Sequence, residues 1–339
     1  VAGPLLALFA GFGVLIGILF GFFGMGGSFL VTPALIVMGY DETVAVGSGL
    51  AFVFGTAVIA TLKHRDLGQV DYKLGVLMIA GTAAGIEVGK EVVLHLEELG
   101  LAGNIISVTY VVLLGGIGAF VTWDARHRDG GSGIDHDVAA DGGEPEIPKL
   151  ARTIQSYRVP PMMELRGGVS VSLWLILAVA FATGLLSGFL GVGGGFIRMP
   201  ALFYLIGVPV PIAVGTDLFE IMFSGGIGSF LYAQSGGVDL SIVAPLLAGS
   251  ALGARIGSAT TSIVDEEEIK IYFGIMLLGG AVAVAFRQIG GAYGIEVLTT
   301  ISFALIIGAA LLVSGAVVYS GIRNLRRMEN EDAASSAAD

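Results

Sequence analysis

The sequence predicts an all-α, polytopic integral membrane protein made of two inverted repeats with glycine-broken helices, followed by one additional transmembrane helix. Three observations carry that expectation. Hydrophobic residues supply 55% of the 339 positions and charged residues only 13%, about half the charged share of a soluble domain. Glycine occurs 54 times, set inside apolar runs and following no triplet period, so a collagen-like or low-complexity chain is excluded. The third observation is a long internal repetition of glycine, proline and aspartate positions. Cysteine is absent, which removes disulfides, thiolate metal sites and cysteine nucleophiles from consideration.

A bilayer core about 30 Å thick takes roughly 20 apolar residues per helix. Runs of that kind cover 4–38, 43–62, 73–96, 103–123, 169–206, 211–232, 240–264, 269–286 and 295–320. The first and fifth are too long for one span, and each is interrupted by a glycine cluster. Gly24-Met25-Gly26-Gly27 breaks the first; Gly191-Val192-Gly193-Gly194-Gly195 breaks the fifth. The first run lacks a basic leader and recurs in mid-chain, so it reads as part of the fold and not as a signal peptide. The stretch 124–168 holds eight Asp/Glu, six Lys/Arg and four prolines and is expected to be an aqueous loop. The organisation that follows is a first transmembrane repeat (1–123), an acidic loop (124–168), a second repeat (169–294), an extra helix (295–320) and a polar tail (321–339).

The repetition is specific. Gly21-Phe22-Phe23-Gly24-Met25-Gly26-Gly27-Ser28-Phe29, ending at Pro33-Ala34-Leu35, matches Gly188-Phe189-Leu190-Gly191-Val192-Gly193-Gly194-Gly195-Phe196, ending at Pro200-Ala201-Leu202. The register then continues with Ala45-Val46-Gly47 opposite Ala213-Val214-Gly215 and Val70-Asp71 opposite Val238-Asp239. If each broken run makes a helix plus a half-helix, every repeat crosses an odd number of times and the two are inverted. Lys63, Arg65, Lys73, the basic residues of the loop, Lys270 and the tail arginines then share one side. The positive-inside rule makes that side, with the central loop and the C-terminus, cytoplasmic.

Each glycine cluster lets a helix stop inside the protein and leaves backbone N–H groups that lipid cannot satisfy. A half-helix starting there directs its positive end into the gap, where an anion is stabilised. Gly24, Gly26, Gly27, Ser28, Gly191, Gly193, Gly194 and Gly195 are therefore candidate substrate-binding residues. Arg198, inside a span, adds a permanent charge and a bidentate fork suited to paired anionic oxygens; pairing with Asp217 or Glu220 is its structural alternative. Ser48 and Thr216, at equivalent places, offer hydroxyls to a substrate or to a neighbouring helix. Arg255 is a further candidate, and its repeat counterpart is Glu87. Asp217 and Glu220 are candidate proton-coupling groups, for their counterparts Gly49 and Phe52 carry no charge.

Other features read as structural. Gly81, Gly85 and Gly89, and Gly249, Gly253 and Gly257, recur every four residues and form close-packing faces. Glu87, Glu91 and His95 recur at the same interval and read as a solvated or interfacial stripe. Gly85-Ile86-Glu87-Val88-Gly89-Lys90-Glu91 fails as a phosphate loop in spacing and in its last residue, and neither glycine cluster completes a dinucleotide fingerprint. No catalytic grouping, metal-ligand spacing or cofactor site is visible, so an enzyme is not expected. The net charge of −11 argues against nucleic acid as a partner. Its concentration in water-facing segments reads as adaptation to high salt, as in a halophilic prokaryote.

With its two glycine-proline blocks and the A-V-G-S/T segments at 45–48 and 213–216, the chain resembles the sulfite exporter TauE/SafE family of membrane permeases. The resemblance covers most of both halves. It implies a multi-pass protein of the cell membrane that moves sulfite, a sulfonate or a related small sulfur-containing organic anion, with the glycine blocks as the translocation region. Joined to the residue reading, it predicts a secondary transporter working by alternating access and coupled to the proton gradient. Its expected partners are a small anion, the lipid bilayer and a second copy of the chain in a homodimer. An uncoupled anion channel and a membrane sensor acting through the acidic loop are the rival readings. The sequence departs from the pattern in that long loop, and in Ser28 where the second copy has Gly195.

Overall fold

The computed structural model describes residues 3–24, 28–38, 40, 42–99, 102–128, 159–166, 168–190, 194–234 and 236–336. Helices α1 (Gly3–Phe23), α2 (Ser28–Val37), α3 (Glu42–Asp66), α4 (Tyr72–Glu98) and α5 (Ala102–Arg128) form the first half. A hairpin of β1 (Met162–Glu164) and β2 (Ser170–Ser172) leads into the second half. There follow α6 (Leu173–Leu190), α7 (Gly195–Ala201), α8 (Val210–Gln234), α9 (Leu240–Thr261) and α10 (Glu266–Tyr293), then α11 (Glu296–Ser336). Eight of these helices, α1, α3, α5, α6, α8, α9, α10 and α11, contain segments long and apolar enough to cross a bilayer. The chain is thus an all-α polytopic membrane protein. The 27-residue α4 is also long enough, and it carries Glu87, Lys90 and Glu91 in its second half.

Both long apolar runs are broken where the glycines stand. α1 stops at Phe23, Gly24 turns left-handed at φ 71°, and the ten-residue α2 starts at Ser28. α6 stops at Leu190, and Gly194 adopts φ 73° immediately before α7. α7 continues as a π-turn from Leu202 to Ile206, which Gly207 ends at φ 85°. The middle residues of the clusters, 25–27 and 191–193, lie outside the described residues. Helices as short as α2 do not span a membrane, since ten residues cover about 15 Å.

The two halves interleave. α1 runs parallel to α9: a Cβ at Gly17 would meet Ser250, and one at Gly257 would fall on the Ile18 carbonyl. α4 pairs with α6 in the same sense, with Gly85 against Phe181 and Gly89 against Leu185. These are the four-residue glycine faces of the sequence, and they bring backbones together where any side chain would intrude. Helices at equivalent places in the two halves run antiparallel. In α3 and α8, Leu50 meets Gly228 while Phe54 meets Gly225; in α5 and α10, Gly115 meets Ala281 while Gly118 meets Leu277.

The Val-Asp repeats are helix caps. Asp71 Oδ1 accepts from Leu74 N at 3.0 Å and Asp239 Oδ1 from Ser241 N at 2.8 Å, satisfying N–H groups at the starts of α4 and α9.

Three boundaries differ from the sequence expectation. α5 persists to Arg128, inside the expected loop. Just before α6 the chain forms the hairpin, docked on the α3–α4 turn by Arg166 N to Asp71 Oδ2 at 2.7 Å and Arg166 Nη1 to Gly68 O at 2.7 Å. Residues 129–158, most of that loop, lie outside the described residues. Finally, α11 carries helix through the expected polar tail to Ser336. Its 41 residues measure roughly 60 Å, twice a bilayer core. The extension is rich in good helix formers and is held to the fold by Asn324 Nδ2 to Ile263 O at 2.8 Å.

Candidate functional site

The breaks create orphan carbonyls, and side chains from distant helices satisfy them. At the end of α1, the Gly21 carbonyl accepts from His64 Nε2 at 2.8 Å and Ser258 Oγ at 3.3 Å, while Phe22 O accepts from Thr261 Oγ1 at 3.1 Å. At the end of α6, Leu190 O accepts from Tyr110 Oη at 3.1 Å. The Tyr110 ring stacks on Phe196 of α7. Sequence reasoning missed all four of these residues. For Tyr110, Ser258 and Thr261 the one signal is polarity inside apolar runs, which does not name a partner; His64 sits in the basic end of its helix and carries no such signal.

Arg198 lies one turn into α7 and is wholly buried. Its Nη1 donates to Asp217 Oδ1 at 2.9 Å and also to Glu220. Nη2 turns back toward the break, 3.2 Å from where a Cβ on Gly194 would sit, with Ser187 beside it. Asp217 and Glu220 stand three residues apart on α8, hence on one face, and both are buried. Ser224, one turn further, donates to Glu220 Oε2 at 3.3 Å. Asp217 Oδ2 and Glu220 Oε1 have no hydrogen-bond partner among the described residues. One guanidinium therefore faces two carboxylates in a site buried from bulk solvent. With all three ionised the cluster carries one net negative charge, which a low-dielectric interior opposes strongly.

The equivalent place in the first half is apolar. Val31 stands for Arg198, Gly49 for Asp217 and Phe52 for Glu220, and Val31 and Phe52 are fully buried. The fold closes this region without charge in one half, so it does not require the ion cluster in the other.

The remaining candidates fall elsewhere. Ser48 Oγ accepts from Asp239 N at 2.9 Å and Thr216 Oγ1 from Asp71 N at 3.0 Å. These reciprocal bonds tie each half's A-V-G-S/T segment to the turn before a helix of the other half. Gly47 and Gly215 let the segments approach, since a Cβ on either would meet the Gly237 or Gln69 carbonyl. Arg255 is exposed on α9. Gly24, Gly194 and Gly195 flank the breaks, and Ser28 opens α2. Gly26, Gly27, Gly191 and Gly193 lie outside the described residues.

A family model described as "Sulfite exporter TauE/SafE" matches residues 9–286. The chain belongs to the sulfite exporter TauE/SafE family. It is therefore a member of a family of membrane transporters, and the match runs from within α1 to within α10, leaving α11 beyond it. The probable membrane transporter protein YunE of Bacillus subtilis (strain 168) is 27% identical over 277 residues, covering 78% of this chain and 92% of that one. A probable membrane transporter protein of Xylella fastidiosa (strain 9a5c) is 24% identical over 282 residues, 82% of this chain and 94% of its own. Bacillus subtilis YjnA, similarly described, is 26% identical over 252 residues, 73% and 86% of the two chains. No solved structure matches the chain.

Proposed function

We propose that this protein carries sulfite, a sulfonate or a related small sulfur-containing anion across the cell membrane by alternating access, one proton accompanying each anion. The observation that carries this reading is the buried Arg198 held by both Asp217 and Glu220 beside the α6–α7 break. As it stands, the guanidinium is neutralised by carboxylates and has no charge to offer a substrate. A proton on Glu220 or Asp217 removes one negative charge and releases part of the guanidinium fork to an incoming anion. By linkage, the bound anion raises proton affinity by the same factor. Proton and anion then move together, as symport.

Alternating access is favoured by antiparallel pairing of equivalent helices, the arrangement expected of inverted repeats. The moving bodies in this reading are not the two sequence halves. Backbones touch through glycine between α1 and α9 and between α4 and α6, so sliding there would cost packing. Each rigid body combines helices of both halves. The cytoplasmic side is taken as that of Lys63, Arg65, Lys73, Lys270 and the tail arginines, and the acidic exterior as adaptation to high salt.

Uptake of labelled sulfite, taurine, sulfoacetate and sulfate into proteoliposomes under imposed pH and sodium gradients tests the reading. Saturable accumulation driven by the pH gradient is the expected result. Non-saturating flux indifferent to pH would replace the carrier with a channel.

A further inference from the structure

Glu220 is buried yet lines a cleft. On one wall stand Ile86 and Glu87 of α4; on the other stand Glu220, Ser224 and Ile227 of α8. The cleft measures about 40 Å³, room for about three waters and too small for a lipid chain. Glu220 exposes 1% of its surface, and its Oε1 has no hydrogen-bond partner among the described residues. Glu87 is exposed at the same cleft, although it sits in the middle of α4. A carboxylate at that depth facing hydrocarbon is costly, and water in the cleft relieves the cost.

Beyond the cleft, Glu87, Glu91 and His95 follow one another along one open face of α4, interspersed with Val88, Val92 and Leu96, each about 6 Å from the next. Glu87 belongs both to this face and to the cleft. The stripe thus runs from the end of α4 remote from Lys73 to the carboxylate beside Arg198.

The matching place in the other half is shut. Thr56 and Ser250, which stand for Ser224 and Thr82, hydrogen-bond directly at 2.8 Å. Phe52 fills the Glu220 position and Arg255 replaces Glu87. An open cleft occurs on the side that holds the ion cluster.

We propose that the α4–α8 cleft is the aqueous entry by which protons reach Glu220, with Glu87 as the relay at its mouth and Glu91 and His95 as the approach. The charged and polar groups facing Glu220 are Arg198 from α7, Asp217 and Ser224 from its own helix, and Glu87 and Thr82 from α4. α3, also packed on α8, directs its His64 to Gly21 and Gln69 instead. This inference rests on the proton-coupled reading for its purpose, but not for its test.

The chain has no cysteine, so Ser224→Cys places a unique thiol in the cleft and Thr56→Cys a unique thiol at the closed counterpart. In proteoliposomes, a small water-soluble methanethiosulfonate should label the Ser224→Cys protein at least ten-fold faster than the Thr56→Cys protein. Adding Glu87→Trp should slow that labelling at least ten-fold. Equal thiol rates in the Ser224→Cys and Thr56→Cys proteins, or Ser224→Cys labelling indifferent to Glu87→Trp, would overturn the route. For transport, Glu87→Gln should lower the initial rate of pH-driven uptake about five-fold and leave the final accumulation unchanged, as for a relay; an unchanged rate would remove Glu87 from the path. If the unsubstituted protein shows no pH-driven accumulation, the coupled reading fails, while labelling still decides whether the cleft is wet.

Discussion

Replacing Glu220 by Gln isolates the proton from the rest of the site. The amide keeps the volume and still accepts from Arg198, so the buried contact survives while one titratable group disappears. What remains is Arg198 against Asp217 at 2.9 Å, a neutral pair in place of a cluster with one surplus negative charge. In the proposed mechanism, that surplus corresponds to one proton per anion. Across a gradient of two pH units, one proton carries about 2.7 kcal/mol, enough to concentrate an uncharged proton–anion pair about 100-fold. Uptake of a labelled monovalent sulfonate by proteoliposomes, followed to its plateau with and without the gradient, should give that ratio in the native chain. The Glu220→Gln protein should equilibrate at a ratio near one, with its saturable exchange intact. Accumulation of about 100-fold in the Glu220→Gln protein, and again in an Asp217→Asn protein, would refute the assignment of the proton to this cluster.

Arg198→Ala leaves two buried carboxylates without their cation and should cost about 3–5 kcal/mol, read as a lowered melting temperature in detergent. Adding Asp217→Asn and Glu220→Gln should restore most of the stability and none of the transport. Gly253→Leu drives a side chain onto the Val14 carbonyl and should cost at least about 1–3 kcal/mol. Gly116→Ala, with open space around its Cβ, should gain about 0.5–1 kcal/mol in the same melts. Thr216→Val breaks the bond to Asp71 N and should cost about 1–2 kcal/mol without changing the KM for the anion; a raised KM would return Thr216 to the substrate site. If the acidic surface is an adaptation to salt, melting temperature should fall as molar salt is diluted to about 0.1 M.

The fold class was legible because its signals are local. Apolar run lengths, two glycine clusters and a proline after each suffice to place the breaks at Phe23 and Leu190. The Val-Asp repeats are caps whose partners lie two or three residues away. Where a partner lies in the other half, the sequence names the residue type and not the bond. Ser48 and Thr216 offered hydroxyls that suited a substrate equally well, and only the tertiary fold places them against Asp239 and Asp71. Tyr110 could not be tied to Leu190 from sequence, because 80 residues separate them. Arg198, Asp217 and Glu220 stood out as charges in apolar runs, with pairing as one of the readings open to Arg198; that it meets both carboxylates at once follows from α7 laid on α8. The helical extension of α11 was hidden for another reason: helix propensity persists after hydrophobicity has ended.

The interleaving of the halves bears on how the chain is made. Gly21 and Ser258 meet across 237 residues of sequence, so the glycine face of α1 has no proper neighbour when it leaves the ribosome. At about 5–20 residues per second, the wait for α9 is roughly 12–47 s. Through that interval the groove along α1 is covered by lipid or by an insertion factor, and α4 waits likewise for α6. The N-terminal half synthesised alone should remain a substrate for membrane quality control, however well each of its helices inserts.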